Sequence, residues 1–384
     1  MHATFYSEDF KVGILGGGQL GRMFIQEAIN LDVRIHILDP DAAAPSGKIA
    51  HHFVQGDITD FDTVLNFGKD KNVVTIEIEH VNVDALEKLE GMGVKVYPQP
   101  QLIRMIQDKG LQKEFYQKHN IPTAPFRLIN AKNDLSANTD FLPFVQKLRK
   151  GGYDGKGVQV IKNETDFTKG FDAPCVLEKF VDFEKELAVI VARNEHGEVK
   201  SYPVVELEFD PEANLVEFLF SPANINPVIE EKAQKIARNV IEKMQLVGIL
   251  AVELFLTKSG DVLVNEIAPR PHNSGHQTIE ASYTSQYEQH LRAILGLPLG
   301  ATDIILPSVM VNLLGEKDFT GNVLYKGLAE SLRLKGVYPH IYGKATTKSF
   351  RKMGHVTVID QSLEAAKKTA LNVKDLIRVQ SQSL

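Results

Sequence analysis

Apolar and polar positions along the chain follow two different periods, and the switch between them divides the sequence. Over residues 11 to about 100, Lys11 to Leu15, Val33 to Leu38, Val73 to Ile78 and Val94 to Tyr97 read as short buried strands. Between them, the stretch ending near Asn30 and Val83 to Glu90 read as helices. Alternating strand and helix predicts a parallel α/β domain. A helix then spans Gln101 to Asn120 and is stopped by Ile121-Pro122-Thr123-Ala124-Pro125. Phe144 to Leu148 and Val176 to Val181 read as strands, the second ending near Glu186. Leu187 to Arg193, Val199 to Val205 and Leu215 to Phe220 continue as an antiparallel sheet, and Pro227 to Met244 as an amphipathic helix. Ser285 to Leu295 is helical, and after Pro298 the pattern breaks into short strands at Ser308–Leu313, Ser331–Leu334, Thr346–Lys348 and Gly354–Ile359.

The most informative stretch is Val247 to Gln277. Two apolar runs flank Lys258-Ser259-Gly260-Asp261, which predicts a β-hairpin with a four-residue loop. If Thr257 pairs with Val262, Glu253 stands opposite Glu266 on the same face. Facing carboxylates destabilise a hairpin unless something offsets them. A hard divalent cation does so, and Mg²⁺ uses one or two carboxylates while sharing its other positions with water and phosphate.

Composition narrows the class. The 384 residues allow two or three domains, and no apolar run is long enough to span a bilayer. The start lacks a basic region followed by an apolar one, so no signal peptide is expected. The single cysteine, Cys175, excludes an intrachain disulfide and a cysteine-cluster metal site, and fits a reducing cytoplasm. Net charge is −6, so neither nucleic acid nor membrane is expected as a partner, and an anionic ligand needs a local cationic cluster.

Several motifs carry candidate chemistry. Gly16, Gly18 and Gly21 follow the first strand and open a helix, with Asp39 near the acidic position of a dinucleotide site. A dinucleotide, another phosphorylated ligand and a structural turn all fit that pattern. Glu77 and Glu79 lie just past a strand end, where open parallel sheets place their ligand crevice. Gly151 to Gly157, Gly-Gly-Tyr-Asp-Gly-Lys-Gly, reads as a hairpin flap whose amides can close on phosphates. Glu178-Lys179 at a strand end suits adenine recognition, one for an amino group and the other for ring nitrogens or phosphate. His272 and His276 have zinc spacing, but the intervening residues argue against a helix. Lys344, Lys348, Arg351 and Lys352 form a basic run.

Taken in order, these elements resemble the ATP-grasp ligases. Gly16-Gly-Gly-Gln-Leu-Gly-Arg22, Gly151-Gly-Tyr-Asp-Gly-Lys-Gly157 and Asn265-Glu-Ile-Ala-Pro-Arg-Pro-His-Asn-Ser-Gly-His276 resemble, over nearly the whole chain, the 5-(carboxyamino)imidazole ribonucleotide synthases, a biotin-independent carboxylating family of purine biosynthesis. Two positions depart from that family: its Glu-Asn-Val is Glu79-His80-Val81 here, and a histidine after its Tyr-Pro strand is Phe209.

The resemblance implies an α/β and α+β chain with the ATP-grasp fold: an N-terminal parallel α/β domain (1–107), a lid subdomain (108–185), a catalytic subdomain (186–300) and a small C-terminal β-rich domain (301–384). It implies a cytoplasmic, homodimeric ligase that uses ATP, bicarbonate and 5-aminoimidazole ribonucleotide, with Mg²⁺ or Mn²⁺ on Glu253 and Glu266. Arg270 and Lys147 are the implied catalytic residues. ATP falls to Lys109, Lys147, Gly152, Tyr153, Asp154, Gly155, Lys156, Gly157, Glu178, Lys179, Phe180, Val181, Glu186, Asn265 and Glu266. The ribonucleotide and bicarbonate fall to Gly18, Gln19, Leu20, Glu79, Tyr153, Asp154, Arg270, Asn273, Ser274, Arg292, Lys344 and Arg351. A formate-using transformylase of the same superfamily is the alternative.

Overall fold

A computed structural model describes residues 4–152, 157–210, 212 and 215–382. Five parallel strands, β1 (Lys11–Leu15), β2 (Arg34–Asp39), β3 (His52–Gln55), β4 (Val73–Ile76) and β5 (Lys95–Val96), lie in the order β3-β2-β1-β4-β5. Helices α1 (Gln19–Asn30), α2 (Phe61–Gly68) and α3 (Val83–Gly91) connect them. Both faces are covered, as a parallel sheet requires. Val12, Ile14, Ile35 and Ile37 pack with Phe24 and Ile25 of α1, while Leu15, Leu38, Val74 and Ile76 pack with Phe67 of α2 and Leu86 and Leu89 of α3. The edge strand β3 has no counterpart in the sequence reading, because His52 and Gln55 are exposed and its apolar signal is two residues long.

The single helix expected from Gln101 to Asn120 is two, α4 (Pro100–Ile106) and α5 (Lys109–Lys118). Asp108 breaks it. Its carboxylate accepts from the Gly110 amide at 2.8 Å and binds the Arg149 guanidinium at 2.7 and 2.8 Å, so it caps a new helix instead of continuing the old one. A four-stranded antiparallel lid follows, with β6 (Phe126–Ile129), β7 (Phe144–Leu148), β8 (Val158–Ile161) and β9 (Cys175–Lys179) in the order β6-β9-β7-β8. Cys175 is buried in its core. β9 ends at Lys179, short of the expected end near Glu186, and β10 starts at Phe183.

The rest of the chain builds two more sheets from β10 (Phe183–Arg193), β11 (Val199–Ser201), β12 (Val205–Asp210), β13 (Leu215–Ser221), β14 (Gly248–Thr257), β15 (Val262–Ala268), β16 (Ser308–Leu314), β17 (Gly321–Lys326), β18 (Val337–Ile341), β19 (Thr346–Thr347), β20 (Lys352–Ile359) and β21 (Arg378–Ser381). Nine strands run β15-β14-β10-β12-β13-β16-β20-β18, with β11 on β10; three run β19-β17-β21. Helix α6 (Pro227–Met244) buries Ala233, Ala237, Val240 and Ile241 against Leu187, Val189, Leu250 and Val252. The short α7 (Thr278–Ala281), then α8 (Gln286–Ile294), α9 (Leu328–Ser331) and α10 (Leu363–Leu376) complete the chain. The strand expected over Val199–Val205 is split, because Pro203 has no N–H for the ladder. Ser331–Leu334 is no strand: Ser331 ends α9, which starts after Gly327 at φ +73. Among the described residues, no helix is long and apolar enough to cross a membrane.

Candidate active site

The hairpin β14–β15 brings Glu253 and Glu266 face to face, but by another route than simple alternation. Thr257 N–H donates to Asp261 O at 2.9 Å and Gly260 adopts φ +83, so the loop is three residues, not four. Leu256 therefore pairs with Val262 and Leu254 with Val264, which alone would set Glu253 opposite Asn265. A β-bulge follows Leu254, and the extra residue restores the Glu253–Glu266 pair.

Burial, together with the charges of Glu266 and Glu186, pushes the Glu253 carboxyl up to about 7. Burial pushes Glu186, on the adjacent strand β10, up to about 7 as well, against the pull of Lys147. Lys109, at the start of α5, ion-pairs with Glu266. His272 Nε2 lies 3.7 Å from Glu253 Oε1, but burial and then Arg270 push that imidazole down to about 3, so it is neutral and supplies no charge. The Lys109 ammonium answers only Glu266, so the pair still carries more negative than positive charge and offers hard oxygen donors, which fits Mg²⁺ or Mn²⁺. Among the described residues, no three His, Cys, Asp or Glu side chains come together as a metal cage.

Above the hairpin the lid contributes Lys147 on β7 and Glu178 on β9. Lys147 Nζ donates to Glu178 Oε2 at 3.1 Å and to Asn265 Oδ1 at 3.0 Å. Lys113 of α5 reaches the same Glu178 oxygen at 3.2 Å. Burial opposes the Glu178 charge, yet Lys147 and Lys113 hold its carboxyl below the ordinary range. The Lys179 ammonium donates to the carbonyls of Phe141 (3.2 Å) and Leu142 (2.8 Å), which ties the end of β9 to the residues just before β7. Exposed Phe180 and half-buried Val181 form the linker between the lid sheet and β10. The base of the flap is closed by Leu148 N–H donating to Gly157 O at 2.9 Å, with Gly157 at φ +78 beside Gly152. Tyr153, Asp154, Gly155 and Lys156 lie outside the described residues.

The glycine turn before α1 is already occupied. Glu77 accepts from the amides of Gly18 and Leu20, both at 2.9 Å, and of Gly21 at 3.4 Å. Asp39 accepts from Gly17 N–H at 2.6 Å. The positive end of α1 thus holds a carboxylate of its own chain, where a dinucleotide site would hold pyrophosphate. The Gly18 and Leu20 amides expected to meet substrate are spent on Glu77; Gln19 between them is half-buried. Glu79, two residues on, pairs with Arg270, whose Nε lies 2.9 Å from Glu79 Oε1. That pair joins the strand-end crevice of the first sheet to the segment just beyond β15.

The remaining expected contacts divide. Ser274 is 1% exposed and its hydroxyl sits 2.9 Å from His272 Nδ1. Asn273 exchanges two amide hydrogen bonds with Asn312 of β16, at 2.9 and 3.0 Å. Arg292 is tied to Glu288 one turn earlier on α8, its Nε at 2.9 Å from the carboxylate. Lys344 Nζ donates to Lys352 O at 2.7 Å and lies over the Tyr342 ring; Arg351 donates to Thr346 O at 2.8 Å. Glu77 as a turn-filler and Lys113 as a second partner of Glu178 are roles the sequence did not assign. The i, i+4 spacing of Lys109 and Lys113 on one helix was their visible trace.

Three domain families match in succession: the ribonucleotide synthetase preATP-grasp domain over residues 10–107, the ATP-grasp domain over 114–287, and the phosphoribosylaminoimidazole carboxylase C-terminal domain over 308–369. A chloroplastic phosphoribosylaminoimidazole carboxylase from Vigna aconitifolia is 40% identical over 363 residues, 92% of this chain; the chain spans 65% of that longer protein. The crystal structure of N5-carboxyaminoimidazole ribonucleotide synthetase from Thermotoga maritima is 44% identical, with a TM-score of 0.90, and the match covers 97% of this chain and 100% of that one. The Aspergillus clavatus N5-carboxyaminoimidazole synthase, solved with ADP and 5-aminoimidazole ribonucleotide, is 35% identical with a TM-score of 0.88, covering 96% and 98%. Matched by three successive domain families and, over 97% of its length, 44% identical to a solved synthetase, the chain belongs to the N5-carboxyaminoimidazole ribonucleotide synthetases of the ATP-grasp superfamily.

Proposed function

We propose that the protein uses ATP and bicarbonate to carboxylate the amine of 5-aminoimidazole ribonucleotide, releasing ADP and phosphate. The observation that carries this reading is the Glu79–Arg270 pair, which links the first-domain crevice to the carboxylate hairpin. An amine held at Glu79 then lies beside the guanidinium that orients the carboxyl source.

ATP lies between lid and hairpin, its ribose toward Glu186 and its phosphates toward Lys109 and Lys147. Glu253 and Glu266 would hold Mg²⁺ or Mn²⁺, which when bound neutralises phosphate charge. Bicarbonate is a poor electrophile. Its oxygen attacks the γ-phosphorus, giving carboxyphosphate and ADP. Such phosphoryl transfer depends mostly on position and charge neutralisation. Arg270 presents a planar fork of N–H donors that matches the bicarbonate oxygens. The amine attacks the carboxyl carbon, phosphate leaves, and the nitrogen loses a proton. Lys344 and Arg351 supply positive charge for the ribonucleotide phosphate. The homodimer and the cytoplasmic setting belong to the same reading and are checked by sedimentation and fractionation.

Formate is also a small planar oxyanion, so Arg270 alone does not choose between carboxylation and formyl transfer; the family match favours carboxylation. Labelled bicarbonate and labelled formate, offered with 5-aminoimidazole ribonucleotide and with glycinamide ribonucleotide, decide it. Bicarbonate label in an acid-labile carbamate is expected. Formate label in glycinamide ribonucleotide, with none from bicarbonate, reverses the assignment.

A further inference from the structure

Lys113 is a cation in the cleft that none of these steps uses. It lies one turn after Lys109 on α5 and is 2% exposed. Its ammonium donates to Thr123 Oγ1 at 2.6 Å and pairs with Glu178 Oε2 at 3.2 Å. The Thr123 hydroxyl donates in turn to Val264 O at 2.8 Å. From the other side, Lys147 binds the same Glu178 oxygen and Asn265 Oδ1. The contacts form one chain, Val264–Thr123–Lys113–Glu178–Lys147–Asn265, which leaves β15 at one residue and returns at the next. It passes through α5 and both central lid strands.

A buried ammonium is costly, and burial pushes Lys113 down to about 8 despite Glu178. The arrangement makes sense through Lys147. A carboxylate with one ammonium partner forms a tight pair; a carboxylate shared between two holds each less firmly. We propose that Lys113 is a positioning residue for ATP: by sharing Glu178 it keeps the Lys147 ammonium between Glu178 and Asn265, available to an arriving phosphate. This rests on the reading that ATP binds between lid and hairpin. Without Lys113, Lys147 becomes the sole partner of Glu178 and is drawn off the phosphate. The loss falls on bound ATP in ground and transition states alike, so it moves KM more than kcat.

The test is steady-state kinetics on Lys113→Met, alone and combined with Glu178→Gln, with thermal unfolding of each variant. Lys113→Met should raise the KM for ATP tenfold or more, with kcat within threefold and the ribonucleotide KM unmoved. In the Glu178→Gln background the same change should have almost no further effect on that KM, because no carboxylate remains to capture Lys147. A merely structural Lys113 would lower the unfolding temperature in both backgrounds, leave the KM for ATP in place, and overturn the proposal. If the Met variant does not fold, Lys113→Gln carries the same expectation. Wild-type protein that turns over no ATP would overturn the nucleotide reading itself and this proposal with it; normal wild-type turnover with an unmoved KM in the variant overturns this proposal alone.

Discussion

At the scale of single residues, Glu186 shows how burial leaves a measurable trace. Its carboxyl titrates near 7 in the folded chain, against an ordinary value near 4.5. Between those values the unfolded chain has released this proton and the folded chain still holds it, so folding stability falls as pH rises through that window and then levels off. Glu186→Gln removes the effect. Nucleotide-free Glu186→Gln should match wild type in unfolding temperature at pH 4.5 and exceed it at pH 8; equal temperatures at both would mean the carboxyl is not so buried. Arg270 makes a second case. Its Nε lies beside Glu79 and its Nη1 donates to Pro271 O at 3.1 Å, which fixes the guanidinium just beyond β15. Arg270→Lys keeps the charge but loses the fork, and should cost about 100-fold or more in kcat/KM, in the range of removing one oxyanion donor. Residues such as Glu253 and Glu266 were legible because a charge inside an apolar run is conspicuous. Glu77 was not, since its role depends on amides 57 to 59 positions earlier that only the fold brings near. The partners of Lys179 and Ser274 were hidden for a related reason: type and spacing give a side chain's chemistry, not which neighbouring carbonyl or imidazole it meets.

At the scale of elements, the sequence revealed long periodic segments and hid local breaks. The strand β1, the lid strand β7 and the helix α6 stand where their patterns put them. The two-helix form of residues 100–118 escaped because Asp108 is compatible with a helix until Arg149 arrives from the lid. The carboxylate hairpin is the most instructive element. A shorter loop and a bulge each shift the register by one residue and cancel, so the expected pair forms through geometry that periodicity cannot see. Gly260 fixes the loop. A Cβ there would meet nothing within 4 Å, so only its positive φ resists substitution. Gly260→Ala should therefore destabilise the chain by about 1 kcal/mol, the usual cost of a left-handed residue. Activity per folded molecule should be unchanged. A fall in ATP turnover at equal folded fraction would show that the loop, not the bulge, sets the position of Glu253.

At the scale of the whole molecule, the C-terminal segment is part of the catalytic body rather than an appendage. β16 extends the catalytic sheet beyond β13, and Tyr342 packs into the core of the first sheet with Tyr287 and Leu291. A column of stacked imidazoles fastens the junction: His276 to His355 at 4.6 Å, His355 to His340 at 4.5 Å, with His340 bound to Glu280 at 2.7 Å. Burial keeps His276 and His355 neutral, so the column adds packing without charge. Beside it, Gly343 runs close to the Arg22 guanidinium of α1, and Lys344 follows on the chain. Arg22 of α1 and the chain segment that carries Lys344 thus come together where the first sheet touches the C-terminal segment. In a chain of net charge −6, such a local cluster is what draws in a phosphate. If it holds the ribonucleotide phosphate, its effect is separable from that of the lid lysines. Lys344→Met should raise the KM for 5-aminoimidazole ribonucleotide about tenfold, from the loss of one charge-assisted hydrogen bond. The KM for ATP should stay in place, the reverse of what Lys113→Met does. Measuring both constants for both variants sets the two clusters against each other. If Lys344→Met moved both constants equally, or the ATP constant alone, the cations at the domain junction would belong to the nucleotide, and the ribonucleotide phosphate would have to be sought elsewhere along the Glu79 crevice.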